Sequence, residues 1–545
     1  MTVVRNPVIR GFASDPSLIR VGGTYYVATS SFEWFPTLPL FRSRDLATWE
    51  YAGHVGGAVP NGSLAGVPDS GGIYAPALSF DGERFWIVYA IVRSVGGRYF
   101  DLDTWTSTAT DPAGPWSAPR RVPGHGFDPS LFHHDGRLWL VNLQNDHRPG
   151  GQRFAGIVLT ELDRATLRPL GATHLLLQHD RLIEGPKLLH HDGWFHLLVA
   201  EGGTGVEHAV LAARSRSLLG PYEVDTQPLL TSRDDPSLPL QRAGHGELVQ
   251  APDGSWFLGH LASRPLRTPA GPRSPLGRET AVQEVVWNAD GRPRLRRGGR
   301  HPFVDVEVPR PPRPSGEPDL PPRQDDVLGW PWNTLREPVD PSWADADARP
   351  GWIRLRGRQG PESLWDQSLL AQRITEHRAE VEVVVDAAPR TFGEAAGLLL
   401  WYSTTGYFSL DLTWAEPSGE PQRGQQWNGR GRLVLSLLTR HVDEVAQQAL
   451  VEVTAGSPVT LGADVDGSRA QFWFAQGGER QPIGPALDFS RLSDEAGSGP
   501  RFTGALAAIH AQDLVEASFT ADFTGFRLRC REPDTGVEDA LPTSS

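Results

Sequence analysis

The sequence predicts an all-β protein, a five-bladed β-propeller followed by an antiparallel β-sandwich. Three observations carry this. A hairpin unit recurs with its turn glycine at Gly23, Gly82, Gly136, Gly193 and Gly254, at intervals of 54 to 61 residues. Fixed-period recurrence of short strands marks a repeat architecture, and the spacing suits one propeller blade per unit. In the last two hundred residues the hairpin unit gives way to short runs of period-two alternation, and no long helical periodicity stands out in either half.

The unit is clearest in Phe127-Asp128-Pro129-Ser130-Leu131-Phe132-His133-His134-Asp135-Gly136, followed by Arg137-Leu138-Trp139-Leu140-Val141. Asp-Gly between two short apolar runs is a hairpin signal. The other copies carry Tyr25-Tyr26-Val27, Phe85-Trp86-Ile87, Trp194-Phe195-His196 and Trp256-Phe257-Leu258 at the offset of Leu138-Trp139-Leu140. A third strand of blade 1 is expected near Leu40-Phe41-Arg42-Ser43, and Gly-Pro turns at 111–116 and 218–222 close later sheets. Nothing in the residues shows how the ring closes. Residues 302–331 are rich in proline and read as an extended, semi-rigid linker. The predicted division is therefore 1–301 propeller, 302–331 linker and 332–545 sandwich. The sandwich strands are placed on the alternating runs 352–356, 379–385, 407–414, 432–438 and 470–474.

The repeat also locates a candidate site. Asp15, Ala75, Asp128, Glu184 and His245 stand seven to nine residues ahead of the five turn glycines. Equivalent positions at the start of the inner strands of a propeller ring its axis, so three carboxylates and a histidine should share one funnel. Pro16, Pro76, Pro129 and Pro186 follow these positions, as expected of first strand residues. A proline also predicts an extended conformation for the residue before it.

A site of this kind binds a metal or performs acid–base chemistry. A structural calcium site usually draws its ligands from one loop, whereas these acids come from separate blades. Cleavage of a glycosidic bond needs one carboxylic acid and one carboxylate on opposite faces of the sugar. Environments that push two pKa values apart assign those roles. A third carboxylate beside the acid is expected to raise its pKa by like-charge repulsion and to orient it. Metal binding alone and non-catalytic carbohydrate binding are the rival readings; the latter has no need of all three acids.

Composition narrows the partners. The formal net charge of −13 argues against nucleic acid or an anionic membrane. Cys530 is the one cysteine, which rules out an internal disulfide framework. The first residues lack the apolar core of a signal peptide and run directly toward blade 1. The expectation is a cytoplasmic protein acting on small, imported substrates.

The residues resemble glycoside hydrolase family 43, specifically its β-xylosidases with a C-terminal concanavalin-like sandwich. The ordered set that carries the resemblance spans both halves of the chain. Its propeller segments include Asn6-Pro7-Val8-Ile9-Arg10-Gly11-Phe12, Ser14-Asp15-Pro16-Ser17, 29–36, Gly72-Ile73-Tyr74-Ala75-Pro76, Phe127-Asp128-Pro129-Ser130, 146–148, Ile183-Glu184-Gly185-Pro186, 200–204, Ala243-Gly244-His245 and Leu276-Gly277-Arg278-Glu279-Thr280. In the sandwich they are 349–357 and Phe502-Thr503-Gly504-Ala505. The resemblance implies Asp15 as general base, Glu184 as general acid and Asp128 as the residue tuning and orienting that acid. It implies sugar contacts from Arg278, Phe32 and Tyr74, and places Phe502 over the pocket mouth. His245 matches an axial histidine that in some relatives adjoins calcium; no other cofactor is implied.

Two departures bear on substrate. Tyr74 replaces a common tryptophan, and Asn145 stands where close relatives have tryptophan at an outer subsite. Residues 98–104 and 206–211 also diverge. The implied activity is inverting removal of terminal β-D-xylose from short xylooligosaccharides, with α-L-arabinofuranosidase side activity. An arabinofuranosidase with xylose secondary is the alternative, and relatives are often dimers or tetramers.

Overall fold

The computed structural model describes residues 2–95, 97–309, 327–416, 431–499 and 501–532. Five antiparallel sheets follow one another through the first 295 residues. Blade 1 comprises Ser17–Val21, Thr24–Ala28, Pro39–Ser43 and Glu50–His54. Blade 2 comprises Ala77–Phe80, Phe85–Val92, Leu102–Ala109 and Arg120–Val122, and Gly72–Ile73 also pairs with its second strand. Blade 3 is Ser130–His134, Arg137–Leu143, Ile157–Leu162 and His174–Leu177. Blade 4 is Ile183–His191, Trp194–Glu201, Ala209–Ser215 and Glu223–Val224. Blade 5 is Gln241–Gln250, Trp256–Ser263, Glu279–Trp287 and Pro293–Leu295. Each predicted glycine lies in the hairpin joining the first two main strands. Asp135-Gly136 and Asp192-Gly193 have φ of 48°, 73°, 49° and 72°, the two consecutive positive values a tight type I′ turn requires.

The first main strands of the five blades neighbour one another in a closed cycle. The serines of Asp15-Pro16-Ser17 and Asp128-Pro129-Ser130 fasten adjacent blades. Ser17 Oγ donates to Glu247 of blade 5 at 2.8 Å and accepts from the Leu78 N–H of blade 2 at 2.9 Å. Ser130 Oγ donates to the Pro186 carbonyl of blade 4 at 2.7 Å.

Ring closure is a task of the N-terminal residues, which attach to blade 5 before the chain enters blade 1. Asn6 Nδ2 donates to Val282 O at 2.7 Å while its Oδ1 accepts from Val282 N at 2.9 Å, and Ile9 bridges to Thr280. Thr2–Arg5 pairs with Asp305–Val308, so the predicted linker contains a strand in its first residues. Its proline-rich centre, 310–326, lies outside the described residues.

Two antiparallel sheets form the sandwich. One runs in the order Ser368–Arg373, Leu506–Asp513, Glu394–Ser403, Gly406–Ala415, Arg432–His441 and Glu444–Glu452. The other is built around Thr520–Arg531, Arg378–Ala387, Val459–Asp466 and Arg469–Ala475. Arg378–Ala387 alternates between buried and half-buried, whereas all ten residues of Glu394–Ser403 are buried. The cause is period two with apolar material on both sides. Leu398 and Leu400 face the sandwich interior; Leu399 and Trp401 pack with Phe12, Phe32, Trp34 and Tyr74 of the propeller. Thr334–Leu335 also pairs with Trp34–Phe35, so the two halves share a core and a ladder.

Ion pairs rivet this interface. Arg264 and Arg10 reach Glu376 at 2.6 and 2.5 Å, Arg242 reaches Asp494 and Glu495 at 2.7 and 2.5 Å, and Arg336 reaches Asp69 at 2.8 Å. No helix among the described residues is long and apolar enough to cross a membrane.

Candidate active site

The start of the inner strands and the connection between the second and third strands of each blade open at one end of the propeller axis. They enclose a cavity of about 270 Å³. Strand starts contribute Asp15, Ala75, Asp128, Glu184 and His245. The second-to-third connections contribute Phe32, then Val95 and Phe100, then Arg153 and Phe154, then Gly203, Thr204 and His208, and finally Arg278. Tyr74, Phe127 and Leu182 complete the propeller's share, and Phe502 enters from the sandwich. Eight of the nine sequence-predicted site residues therefore line one cavity. Asn145 does not.

The acids rest on a strained backbone. Asp15, Asp128 and His245 have φ of 54°, 52° and 52°, a left-handed conformation that costs a non-glycine residue of order 1–3 kcal/mol. The extended backbone expected of Asp15 and Asp128 from their following prolines is thus corrected. Closure of the ring crowds the strand starts and turns the carboxylates inward. In blade 4, Gly185 takes this conformation (φ 57°), and the register shifts between Glu184 and Lys187. Glu184 therefore sits one residue ahead of the position that Asp15 and Asp128 occupy. A Cβ on Gly185 would lie 2.8 Å from the His245 ring, so the bulge needs glycine there.

Three environments separate the three acids. Asp15 accepts from Arg278 Nη1 at 2.8 Å, Ser30 Oγ at 2.6 Å and Ser14 Oγ at 3.1 Å. Burial pushes its carboxyl up, but the Arg278 guanidinium, His245 and the two hydroxyls together hold it below its ordinary value. For Glu184, burial first and the Asp15 charge second push the carboxyl up to about 7, against the attraction of Arg278. Asp128 is driven well above the usual range by burial, then by Glu184 and Asp15, with Lys187 and the Gly185 N–H pulling the other way. Asp128 and Glu184 titrate as a pair that retains protons, while Asp15 is ionised.

Repulsion between Asp128 and Glu184 is mutual, so each favours the protonated form of the other, and the Asp15 charge adds to both. Asp128 also accepts from Gly185 N at 3.1 Å, which fixes the peptide next to the acid.

Arg278 is buried and holds the cavity together. Besides Asp15, Nη1 donates to Thr204 Oγ1 at 2.8 Å and Nη2 to the Phe502 carbonyl at 3.2 Å. The guanidinium also lies 5.7 and 5.3 Å from the Phe32 and Phe502 ring centres. Phe32, Tyr74 and Phe502 form a three-way ring contact with centroids 5.3 to 6.0 Å apart. The hydroxyl of Tyr74 donates to Ser70 O at 2.9 Å, and Ser70 Oγ accepts from Phe502 N at 2.8 Å. One propeller residue thereby ties the sandwich wall to the propeller wall.

Asn145 is turned away from the cavity. Its Nδ2 donates to the Arg153 carbonyl at 3.0 Å, and its backbone N–H to His125 O at 2.9 Å. Its Oδ1 is buried without a hydrogen-bond partner, and a short amide held in its own loop cannot serve as the platform expected at this position.

Residues missed in the sequence include Thr204, Phe127, Phe100, Arg153 and Phe154. The signal that reaches most of them is the same repeat, applied to the second-to-third connection of each blade.

His245 is buried, its Nε2 has no hydrogen-bond partner, and burial pushes it down to about 4. Calcium prefers six to eight oxygen ligands. Around His245 the charged groups are Asp15, already held by Arg278 and two serines, and the cations Lys187 and Arg278. Among the described residues no group of three or more His, Cys, Asp or Glu could hold a metal ion. The residues present do not fit the axial calcium expected at His245.

Comparison with known proteins agrees with this geometry. Residues 4–293 match the glycosyl hydrolases family 43, and residues 324–529 match the beta xylosidase C-terminal concanavalin A-like domain. A xylosidase/arabinosidase 43B of Humicola insolens is 39% identical over 97% of this chain and 98% of its own. A xylan 1,3-beta-xylosidase of a Vibrio species is 36% identical over 96% and 99%. The crystal structure of a xylan beta-1,4-xylosidase from Bacillus halodurans superposes with a TM-score of 0.89 at 39% identity, covering 96% of this chain and all of that one. With its acids, its propeller and its sandwich all accounted for, the chain belongs to glycoside hydrolase family 43.

Proposed function

We propose that the protein is an inverting exo-glycosidase that releases β-D-xylose from the non-reducing end of short xylooligosaccharides, with α-L-arabinofuranosidase side activity. The observation that carries the reading is the opposite treatment of two carboxylates in one cavity. Asp15 is ionised and suited to take a proton from water; Glu184 retains its proton near neutrality and is suited to give it to the departing oxygen. The Asp15–Arg278 contact keeps the base charged and places a cation where a sugar hydroxyl can bind. At about 270 Å³ the cavity is small beside typical ligand pockets of roughly 300–1,000 Å³, which favours one terminal ring over a threaded chain. Phe502, brought by the sandwich, adds to the wall. The names of the similar proteins, xylosidase and arabinosidase, support the sugar.

Cytoplasmic residence belongs to the same reading and is supported by the single cysteine. Self-association as a dimer or tetramer also belongs to it. The exposed apolar side chains Leu514 and Val515 support this, and sedimentation measures it.

A panel of 4-nitrophenyl β-xyloside, α-arabinofuranoside, β-galactoside and β-glucoside tests the proposal. The xyloside should be cleaved fastest and the arabinofuranoside second. Reversal of these two would make the protein an arabinofuranosidase, and binding without cleavage of any would make it a carbohydrate-binding protein.

A further inference from the structure

We propose that Arg153 selects for a carboxylate carried by the leaving group, making the cavity mouth an anion-accepting subsite. The inference rests on the exo-glycosidase reading, in which the leaving group departs past Glu184 toward solvent. Among the residues lining the cavity Arg153 alone is exposed; Val95, Phe100, Phe154 and Leu182 beside it are half-buried, as are Glu184, Gly203, Thr204 and Phe502. A leaving group that departs on the Arg153 side therefore meets Val95, Phe100, Phe154 and Leu182.

Their chemistry is specific. The Arg153 guanidinium lies 4.3 Å from the Phe100 ring centre and 5.7 Å from that of Phe154. Phe100 and Phe154 both continue into Phe127, beside Asp128, with centroids 5.4 and 6.0 Å away. A guanidinium lodged against rings keeps its N–H edges available for a planar anion. Arg153 makes no ion pair among the described residues, although its loop contains an acid. That acid, Asp146, is occupied by Arg148 through two contacts of 2.9 and 2.8 Å. Asn145, in place of a platform at the mouth, donates to the Arg153 carbonyl and presents the loop.

Electrostatics gives the unpaired charge a purpose. Ionised Asp15 repels an anionic leaving group, and an uncharged mouth would do nothing to offset that. Arg153 offsets that repulsion where the leaving group sits. The shared ligand chemistry is a carboxylate on a ring, supplied either by a uronic acid or by an aromatic acid linked to xylose.

The test compares isosteric substrates that differ in charge. Values of kcat/KM are measured for 4-carboxyphenyl and 4-carbamoylphenyl β-D-xylosides and their 3-substituted isomers. A xylosyl disaccharide ending in a uronic acid is set against its carboxyl-reduced counterpart. The readout is the anionic-to-neutral ratio, because loss of Arg153 also disturbs the rings that every substrate meets. Arg153→Gln should lower the ratio about five-fold, the scale of an exposed ion pair. Arg153→Lys should keep it within about two-fold, and added salt should shrink the wild-type advantage. A change confined to the aryl or to the uronate arm identifies the source. Calorimetric binding of the S-linked carboxyphenyl and carbamoylphenyl thioxylosides, which resist cleavage, reads the same ratio without turnover. Cleavage of the carbamoyl xyloside separately tests the exo-glycosidase reading. A ratio unchanged by Arg153→Gln in both turnover and binding overturns the inference.

Discussion

The cavity floor is built from the ends of inner strands, while its mouth is built from the connections of blades 2 and 3. The floor holds its buried acids closely: Asp15 has three donors, and Asp128 holds the peptide beside Glu184. The mouth is half-exposed, joined by ring contacts, and carries a cation without an ion-pair partner among the described residues. The difference separates two tasks. Proton transfer requires groups held to within fractions of an ångström in a dry setting; acceptance of varied leaving groups requires surface that substitution can alter without disturbing the acids. Changes at the floor should thus be large and general, and changes at the mouth small and substrate-dependent.

The largest expected effect is that of Asp15→Ala, a loss on the order of 10²–10⁴-fold on every substrate, since the water needs its base whatever leaves. Glu184→Ala should match it on xylobiose but retain far more activity on a xyloside of an acidic phenol, which hardly needs the proton. Steady-state kinetics on the two substrates measures both. If Asp15→Ala were the variant spared on the activated substrate, the acid and the base would be exchanged.

Next comes Arg278→Ala, with kcat/KM down roughly 10²-fold, the scale of losing one preorganised charge-stabilising group. Its pH profile is the sharper readout. In the wild type, activity should fall as pH rises through about 7, because Glu184 then loses the proton it must donate. It should also fall on the acid side, below the ordinary carboxylate value, where Asp15 becomes protonated. Removing the Arg278 cation takes away a force that keeps Asp15 ionised, so the acid limb should move to higher pH. An acid limb that stays put would assign it to another group.

The smallest effect belongs to the mouth. Asn145→Ala removes one hydrogen bond to the Arg153 carbonyl, worth about 0.5–1.5 kcal/mol of loop order. It should change kcat/KM on 4-nitrophenyl xyloside by less than about three-fold. A loss approaching that of Arg278→Ala would show that floor and mouth are not separable.

The same contrast explains what was legible in the sequence. Asp15, Asp128 and Glu184 could be found because a repeated hairpin fixes their distance from a turn glycine. The alternation of Arg378–Ala387 announced a sandwich strand for an equally local reason. The mouth has no such ruler. Phe100 and Arg153 lie on connections of different blades, more than fifty residues apart, and their contact exists only once the ring has formed. Asn145 illustrates the limit of reading by position: its amide N–H donates within its own loop instead of facing the cavity. Ring closure through Asn6 was hidden for the same reason, because its partner Val282 is at the other end of the propeller. Burial, which dominates the pushes on Glu184 and Asp128, is likewise a property of the assembled funnel. Hence the three acids could be located in the sequence, but not the size of the push that burial gives each.

Single displacement across the sugar requires water activated by Asp15 on one face and the leaving oxygen protonated by Glu184 on the other. Proton NMR of the anomeric region during the first turnovers of a β-xyloside tests it most directly. The account predicts that α-xylose appears first and that the β-anomer grows in only at the rate of spontaneous mutarotation. β-Xylose as the initial product would contradict it, and would require a covalent intermediate on one of the three carboxylates.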